Sequence, residues 1–407
     1  MLSVSEALAL IAREVVPREP ATVNLADALG LVLSEEIRSD VDSPPFDKAL
    51  MDGYAVRAAD VADGNAELRV IEEISAGSVP RKSIAAGEAA RIMTGAPVPD
   101  GADAVVRIED SSFDAATSTV QLKTRPVVPG LSILRRGSTK KAGEIVLPRG
   151  RLLRPQELGA LAEVGAHRIS ARSAPRIGVL ATGNELVPIS ALPGPGQIRN
   201  SNETMLCAQV CRAGGIPVPL GVARDDATHL AERIAAGLEC DVLILSGGVS
   251  AGKFDLVPSQ LAAAGVRQVF HQVNVKPGKP VWFGVLDQAA AGQGHRYVFG
   301  LPGNPVSSLV CFELFVRTAV RLLMGQNPAE PQPIRARLTK AHIARGDRPT
   351  YNPARLEWTE SGPTVTPLPW HGSSDLQATI DANAMALFDA GDREWKTGEQ
   401  VNAILWD

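Results

Sequence analysis

At 407 residues the chain is too long for one compact core, and length alone predicts two to four domains. A hydrophobic share of 45% and a charged share of 21% are globular values and exclude wholesale disorder. Aromatics at 4% argue against a stacking platform for single-stranded nucleic acid, and a net charge of −4 from 41 basic and 45 acidic residues, well mixed, leaves no basic nucleic-acid footprint.

The first residues, MLSVSEALALIAREVV, lack a basic leading segment, and Glu6 interrupts the apolar run. Ser3 and Glu6 have the spacing of a capping box, so the stretch reads as an amphipathic helix and not as a signal peptide. No run of about 18 apolar residues predicts a membrane span. Of the four cysteines, Cys207, Cys211, Cys240 and Cys311, the first two have a spacing that could ligate a metal, but no His or second Cys pair accompanies them, so they read as small buried hydrophobes; a reduced, cytoplasmic protein is the expectation.

Residues 3–16 and 24–38 are predicted helical, the second with Ala26, Leu29, Leu31 and Val32 on one stripe. Pro44 and Pro45 then force an extended crossing. In the following Met51-Asp52-Gly53, Asp52 is either a turn residue or a ligand-facing carboxylate. From 54 to 145, short alternating runs broken by Gly, Pro and Asp predict a small, mostly-β domain. Its basic loop, Arg135-Arg136 with Lys140 and Lys141, is either solvated surface or a phosphate contact. Residues 146–172 read as a return to helix, with Pro155 near the start of a helix Pro155–Val164 that Gly165 closes.

Beyond Pro175 the pattern becomes βαβα: strand 176–181, helix 203–213, strand 218–223, helix 227–238, strand 242–245, helix 256–264, strands near 281–285 and 297–300, and helix 305–324. Such alternation predicts a doubly wound, mostly parallel sheet covered on both faces. After Pro328 the candidate strands 335–340, 354–358, 365–367 and 385–389 predict a small C-terminal barrel or sandwich.

Three pieces of the α/β region are chemically distinctive. Val242–Leu245 runs into Gly247-Gly248, where backbone at positive φ aims successive N–H groups at one point. Lys276 and Lys279 flank Pro277-Gly278 and place two ammonium groups on a stiff bend. The strand near 297–300 ends in Gly-Leu-Pro-Gly, and Asn304-Pro305 has the form of an N-cap followed by Pro at the first helical position. Loops of this kind at the carboxyl ends of strands suit a phosphorylated ligand.

The ordered motifs PPFDKALMDGYAVR (44–57), MTGAPVPDGADAVV (93–106), RRGSTKKAGE (135–144), ATGNELV (181–187), SNETML (201–206), SGGVSAGKFD (246–255), VKPGKP (275–280) and GLPGNPVS (300–307) cover nearly the whole chain. In this order they resemble the molybdopterin molybdenumtransferase family, which includes the bacterial MoeA protein and the C-terminal domain of gephyrin. The resemblance implies an enzyme that takes adenylylated molybdopterin and molybdate, releases AMP, and leaves molybdenum on the pterin dithiolene with Mg²⁺ assisting. It implies a cytoplasmic homodimer with a shared active site, and molybdopterin adenylyltransferase and molybdoenzyme maturation proteins as partners. The implied division is an elongated linker and dimerisation domain (1–44 with 146–172), an inserted mostly-β domain (45–145), the α/β molybdopterin-binding domain (173–328) and a C-terminal β domain (329–407).

Carried over by position, the resemblance implies Asp52 and Thr94 as site residues reaching across the dimer. It implies Glu185, Asp225 and Asp255 as acidic site residues and metal ligands, and Lys276 and Lys279 as holders of phosphate or molybdate. Ser246, Gly247, Gly248, Val249 and Ser250, with Pro302, Gly303 and Asn304, would cradle the nucleotide and the pterin phosphate. Plain structural roles compete: Asp255 as a helix cap, Glu185 as a helix-dipole carboxylate, and Asp226 in place of Asp225. The chain departs from the family at Ser138, Thr139, Asn184 and Lys253, which stand where carboxylates are common, and this leaves the Mg²⁺ ligands open. A gephyrin-like scaffold and a molybdopterin adenylyltransferase are the alternatives. Nothing in the residues separates molybdate from tungstate.

Overall fold

The computed structural model describes residues 1–249, 256–287 and 294–406. Asp255, Ser250 and Lys253 lie outside the described residues. The chain forms two compact units, one of residues 36–149 with 155–167, the other of residues 1–35, 150–154 and 168–407.

The smaller unit is built on a six-stranded sheet in the order Ala104–Arg107, Gly53–Val56, Glu88–Ile92, Asn65–Ile74, Thr119–Lys123, Ser111–Asp114. Tyr54, Val56, Val106, Val120 and Leu122 pack on one face, and Ala55, Ile74, Ile92 and Val105 on the other. Burial on both faces explains why the strand at 53–56 is apolar throughout instead of alternating.

In the larger unit, helix α1 (Val4–Glu14) carries the expected capping box, with Glu6 N–H donating to Ser3 Oγ at 3.2 Å and Ser3 N–H to Glu6 Oε2 at 2.7 Å. The expected helix at 24–38 is absent. Its residues form a single 3₁₀ turn, Leu25–Asp27, and the short strands Val32–Leu33 and Ile37–Arg38. Gly30 at φ +78° breaks the helix path, and Leu29 of the supposed apolar stripe is 61% exposed. The helix expected at Pro155–Val164 is α2 (Pro155–Glu163, in the smaller unit), whereas Arg168–Arg172, within the stretch assigned to the return to helix, is the central strand between Ala21–Asn24 and Val32–Leu33.

The α/β sheet has the order Ile216–Ala223, Arg176–Thr182, Val242–Ser246, Arg296–Leu301, Trp282–Leu286, Arg267–His271. The first four strands are parallel, Trp282–Leu286 runs antiparallel to them, and Arg267–His271, paired antiparallel to Trp282–Leu286, runs again in the direction of the first four. Helices α3 (Ser201–Arg212), α4 (Ala227–Gly237) and α5 (Val257–Ala263) cover it, with a long helix made of α6 (Pro305–Cys311), a π-turn (Phe312–Val316) and α7 (Arg317–Leu323). Val242 and Ile244 join the core under α1, α3 and the long helix; Leu243 and Leu245 join the core under α4 and α5. A centre strand buried on both faces is why 242–245 is apolar without a break. Cys211 is exposed, unlike its sequence reading.

Residues 334–405 close into a barrel of Ile334–Leu338, Gly362–Pro367, Thr350–Thr359, Ala384–Phe388 and Gln400–Leu405. The last of these strands completes the closure. No helix among the described residues is long and apolar enough to cross a membrane.

Candidate active site

The carboxyl ends of three neighbouring parallel strands open on one cavity of about 840 Å³. Ala181-Thr182-Gly183 forms one wall, Ser246-Gly247-Gly248-Val249 the second, and Pro302-Gly303-Asn304 the third. The start of α3 (Ser201 and Asn202), Glu185, Asp225, Pro280 and Ser374 complete it. Among the sequence-predicted residues, the cavity therefore gathers Glu185, Asp225, Ser246, Gly247, Gly248, Val249, Pro302, Gly303 and Asn304.

The glycines at the end of Val242–Ser246 are required by space and conformation. Gly247 and Gly248 have φ of +96° and +64°, and a Cβ on Gly247 would stand 2.7 Å from the Thr182 carbonyl oxygen. Gly247 N–H donates to the Leu301 carbonyl at 3.0 Å, tying this turn to the next strand end. Asn202 was not singled out from the sequence, although its SNETML motif was. Its Nδ2 donates to Ser246 Oγ at 2.7 Å and to the Gly303 carbonyl at 2.8 Å, so one amide joins two cavity walls to α3.

Asp225 and Asp226 have separate roles. Asp226 caps α4, accepting from His229 N–H at 2.9 Å, whereas Asp225 lines the cavity. Asn184 and Asp225 clasp each other: Asn184 N–H donates to Asp225 Oδ2 at 3.3 Å, and Asp225 N–H to Asn184 Oδ1 at 3.2 Å. The side chain of Asn304 does not cap α6, as its position suggested; it donates to Ser373 Oγ at 2.8 Å. Val306 N–H, at the start of that helix, donates to the Ser373 carbonyl at 3.0 Å.

The basic turn is placed differently from the glycine loops. Pro280 lines the cavity, but Lys276 and Lys279 are not among its walls. Lys276 Nζ donates to the Arg345 carbonyl at 3.4 Å, and the backbone of Lys276 pairs with Pro349 and Tyr351 at the barrel strand. Gly278 seats the turn on α6, since a Cβ there would stand 2.3 Å from Cys311 Sγ. Lys279 is exposed.

In the smaller unit Asp52 and Thr94 are in contact. Thr94 N–H and Oγ1–H both donate to Asp52 Oδ1 at 2.7 Å, and these bonds, the backbone one first, hold the Asp52 carboxyl below its ordinary pKa. The two arginines of this unit's basic loop are paired with carboxylates, Arg135 with Asp47 at 2.6 Å and Arg136 with Asp42 at 2.7 Å, and Lys140 Nζ donates to the Ile145 carbonyl at 2.8 Å.

Mg²⁺ requires hard oxygen donors. Among the described residues no three His, Cys, Asp or Glu side chains cluster as a metal site. Glu185 and Asp225 nevertheless offer two hard oxygen donors to one cavity. That fits a cation that takes its remaining ligands from substrate phosphates and water.

Comparison with known proteins covers the whole chain. Family models match residues 2–165 (MoeA N-terminal region, domain I and II), 178–322 (probable molybdopterin binding domain) and 335–406 (MoeA C-terminal region, domain IV). A molybdopterin molybdenumtransferase of Staphylococcus epidermidis is 35% identical over 99% of this chain and 95% of its own length. One of Staphylococcus aureus is 33% identical with the same coverage. The crystal structure of a molybdopterin biosynthesis moeA protein from Pyrococcus horikoshii superposes with a TM-score of 0.80 at 30% identity, covering 100% of both chains. Sequence and fold agree from end to end: the chain belongs to the molybdopterin molybdenumtransferase family.

Proposed function

We propose that the chain transfers molybdenum from molybdate into adenylylated molybdopterin with release of AMP, in molybdenum cofactor biosynthesis. The observation that carries this is the cavity itself, where glycine turns at adjacent strand ends meet the carboxylates Glu185 and Asp225 in a chain that belongs to the family.

Molybdate is a dianion and the pyrophosphate link of the nucleotide is anionic, so the reaction needs their repulsion offset. The turns at Gly247-Gly248 and Gly303 present backbone to the phosphates, while Lys276 and Lys279 supply fixed positive charge from the turn that ends at Pro280. Water, or a molybdate oxygen whose adenylyl adduct water then splits, attacks the adenylyl phosphorus; the phosphoanhydride bond breaks, the pterin leaves with its own phosphate, and the adenylyl group carrying the water oxygen is released as AMP. No nucleophilic Ser, Cys or His is needed, and positioning does most of the work. Glu185 and Asp225, with Asp255 beyond the described residues, would hold Mg²⁺, which when bound neutralises charge on phosphate oxygens. Asp52 and Thr94 would complete the site from the second subunit of a cytoplasmic homodimer. The four-part domain division drawn from the sequence belongs to this same reading.

The adenylyltransferase and scaffold alternatives are not favoured, because the likeness to transferases runs through all parts of the chain. Supplying purified protein with adenylylated molybdopterin and molybdate separates the three. A transferase releases AMP and yields the molybdenum cofactor. An adenylyltransferase instead loads AMP when given ATP and molybdopterin, and a scaffold does neither.

A further inference from the structure

Two helices open on the cavity with their first residues, α3 with Ser201 and Asn202 and α6 with Pro305. About 12 Å along the long helix, at a rise of about 1.5 Å per residue, the same two helices are joined by a charged cluster that no step of the reaction uses. Glu313, in the π-turn, is 1% exposed. Its Oε1 accepts from Gln209 Nε2 at 2.7 Å and from the Arg212 guanidinium. Its Oε2 accepts from Arg317 at 2.8 Å. Gln209 Nε2 also donates to the Leu309 carbonyl at 3.3 Å.

Removing a carboxylate from water is costly, and an apolar contact would hold two helices together at least as well. What the cluster adds is direction. Apolar side chains permit sliding of one helix along another, whereas a carboxylate held by an amide and two guanidiniums has one geometry. Asn202 depends on that geometry, because its single Nδ2 must reach both Ser246 Oγ and the Gly303 carbonyl. An axial slip of α3 by about 1 Å takes one of these bonds outside the normal range.

We propose that Glu313 is a positioning residue. Through Gln209 and Arg212 of α3 it sets the axial register of α3 against the long helix, while Arg317, one turn further along its own helix, orients the carboxylate; the register so fixed holds Asn202 and the Pro302–Asn304 turn at the spacing that nucleotide binding requires. The ligand named here rests on the function proposed above; the register itself does not.

The test uses the full chain, AMP as the probe, and temperatures well below melting. Glu313→Gln and the milder Arg212→Gln are compared with wild type for AMP affinity by calorimetry and for hydrogen exchange at the amides of Glu203 and Ser308. Those amides are bonded to Asn200 Oδ1 and the Asn304 carbonyl, at the cavity ends of the two helices. We expect at least a fivefold loss of AMP affinity and at least fivefold faster exchange at both amides, with amides of α4 unchanged. Arg212→Lys, which keeps the charge, should recover most of the affinity. If both Gln variants lower the melting temperature but leave AMP affinity and these two amides within twofold of wild type, the positioning role is refuted. Should Glu313→Gln not fold, Arg212→Gln decides by the same criteria. If wild type itself fails to bind AMP, the proposed function falls, and exchange at Glu203 and Ser308 still decides the register.

Discussion

Asp52 takes two hydrogen bonds from Thr94 on one and the same oxygen, Oδ1, from the backbone N–H and from the hydroxyl, both at 2.7 Å. The residues lie 42 apart in sequence, and each was expected on its own as a site residue. Their pairing leaves an oriented, ionised carboxylate at the surface of the smaller unit, and it can be tested by titration.

Both Thr94 bonds favour the charged form of Asp52, so its folded pKa lies below the unfolded value. The resulting stabilisation is present above the unfolded carboxylate range and is lost as pH falls through the folded pKa. Thr94→Val removes the hydroxyl bond and should move the Asp52 pKa upward, toward that of an ordinary aspartate, as read by carbon NMR of the carboxyl. An unchanged Asp52 titration would contradict the pairing.

Gly247→Ala should destabilise the chain by about 1–2 kcal/mol, the cost of a left-handed non-glycine residue. The new Cβ also meets the Thr182 carbonyl, so the turn must shift and AMP binding should weaken with it. Melting curves and calorimetry check the two effects; normal AMP affinity in the folded variant would remove this turn from the nucleotide site.

Lys279 is exposed, and its loss should leave the fold intact. Lys279→Ala is expected to weaken binding of molybdate or nucleotide-pterin by roughly 1.5–3 kcal/mol, the scale of a hydrogen bond to a charged group. Turnover at limiting molybdate reads this directly. Unchanged turnover in both Lys279→Ala and Lys276→Ala would remove the basic turn from the site.

With only Glu185 and Asp225 offered by the described walls, Mg²⁺ should bind the ligand-free protein hardly at all and bind well once nucleotide is present. Calorimetry with and without AMP distinguishes the two states. A low-micromolar affinity in the ligand-free protein would mean that the metal ligands lie elsewhere.

The α/β domain was legible because its signals are local. The run 242–245 is apolar throughout and ends at two glycines whose positive φ nothing else supplies as readily. Segment 168–172 was not recognised as a strand, although Ile169 and Ala171 are buried with period two; its strand partners are distant residues 21–24 and 32–33. Proximity to helix 155–163 outweighed that short alternation. In the site, the glycine turns were readable from residue type, whereas Glu185 came only through the resemblance carried by its TGNEL motif. Asn202 was not, because its role is a bridge to residues 44 and 101 positions away. The separation of Asp225 from Asp226 likewise needed the cap on α4.

The central claim is that the cavity between the three strand ends carries out the transfer. Molybdate-dependent AMP release from adenylylated molybdopterin should therefore be measured for wild type, Glu185→Gln and Asp225→Asn at equal folded concentration. The account predicts release by wild type and a loss of at least tenfold in each variant, with melting temperatures nearly unchanged. Equal release by all three proteins would contradict it.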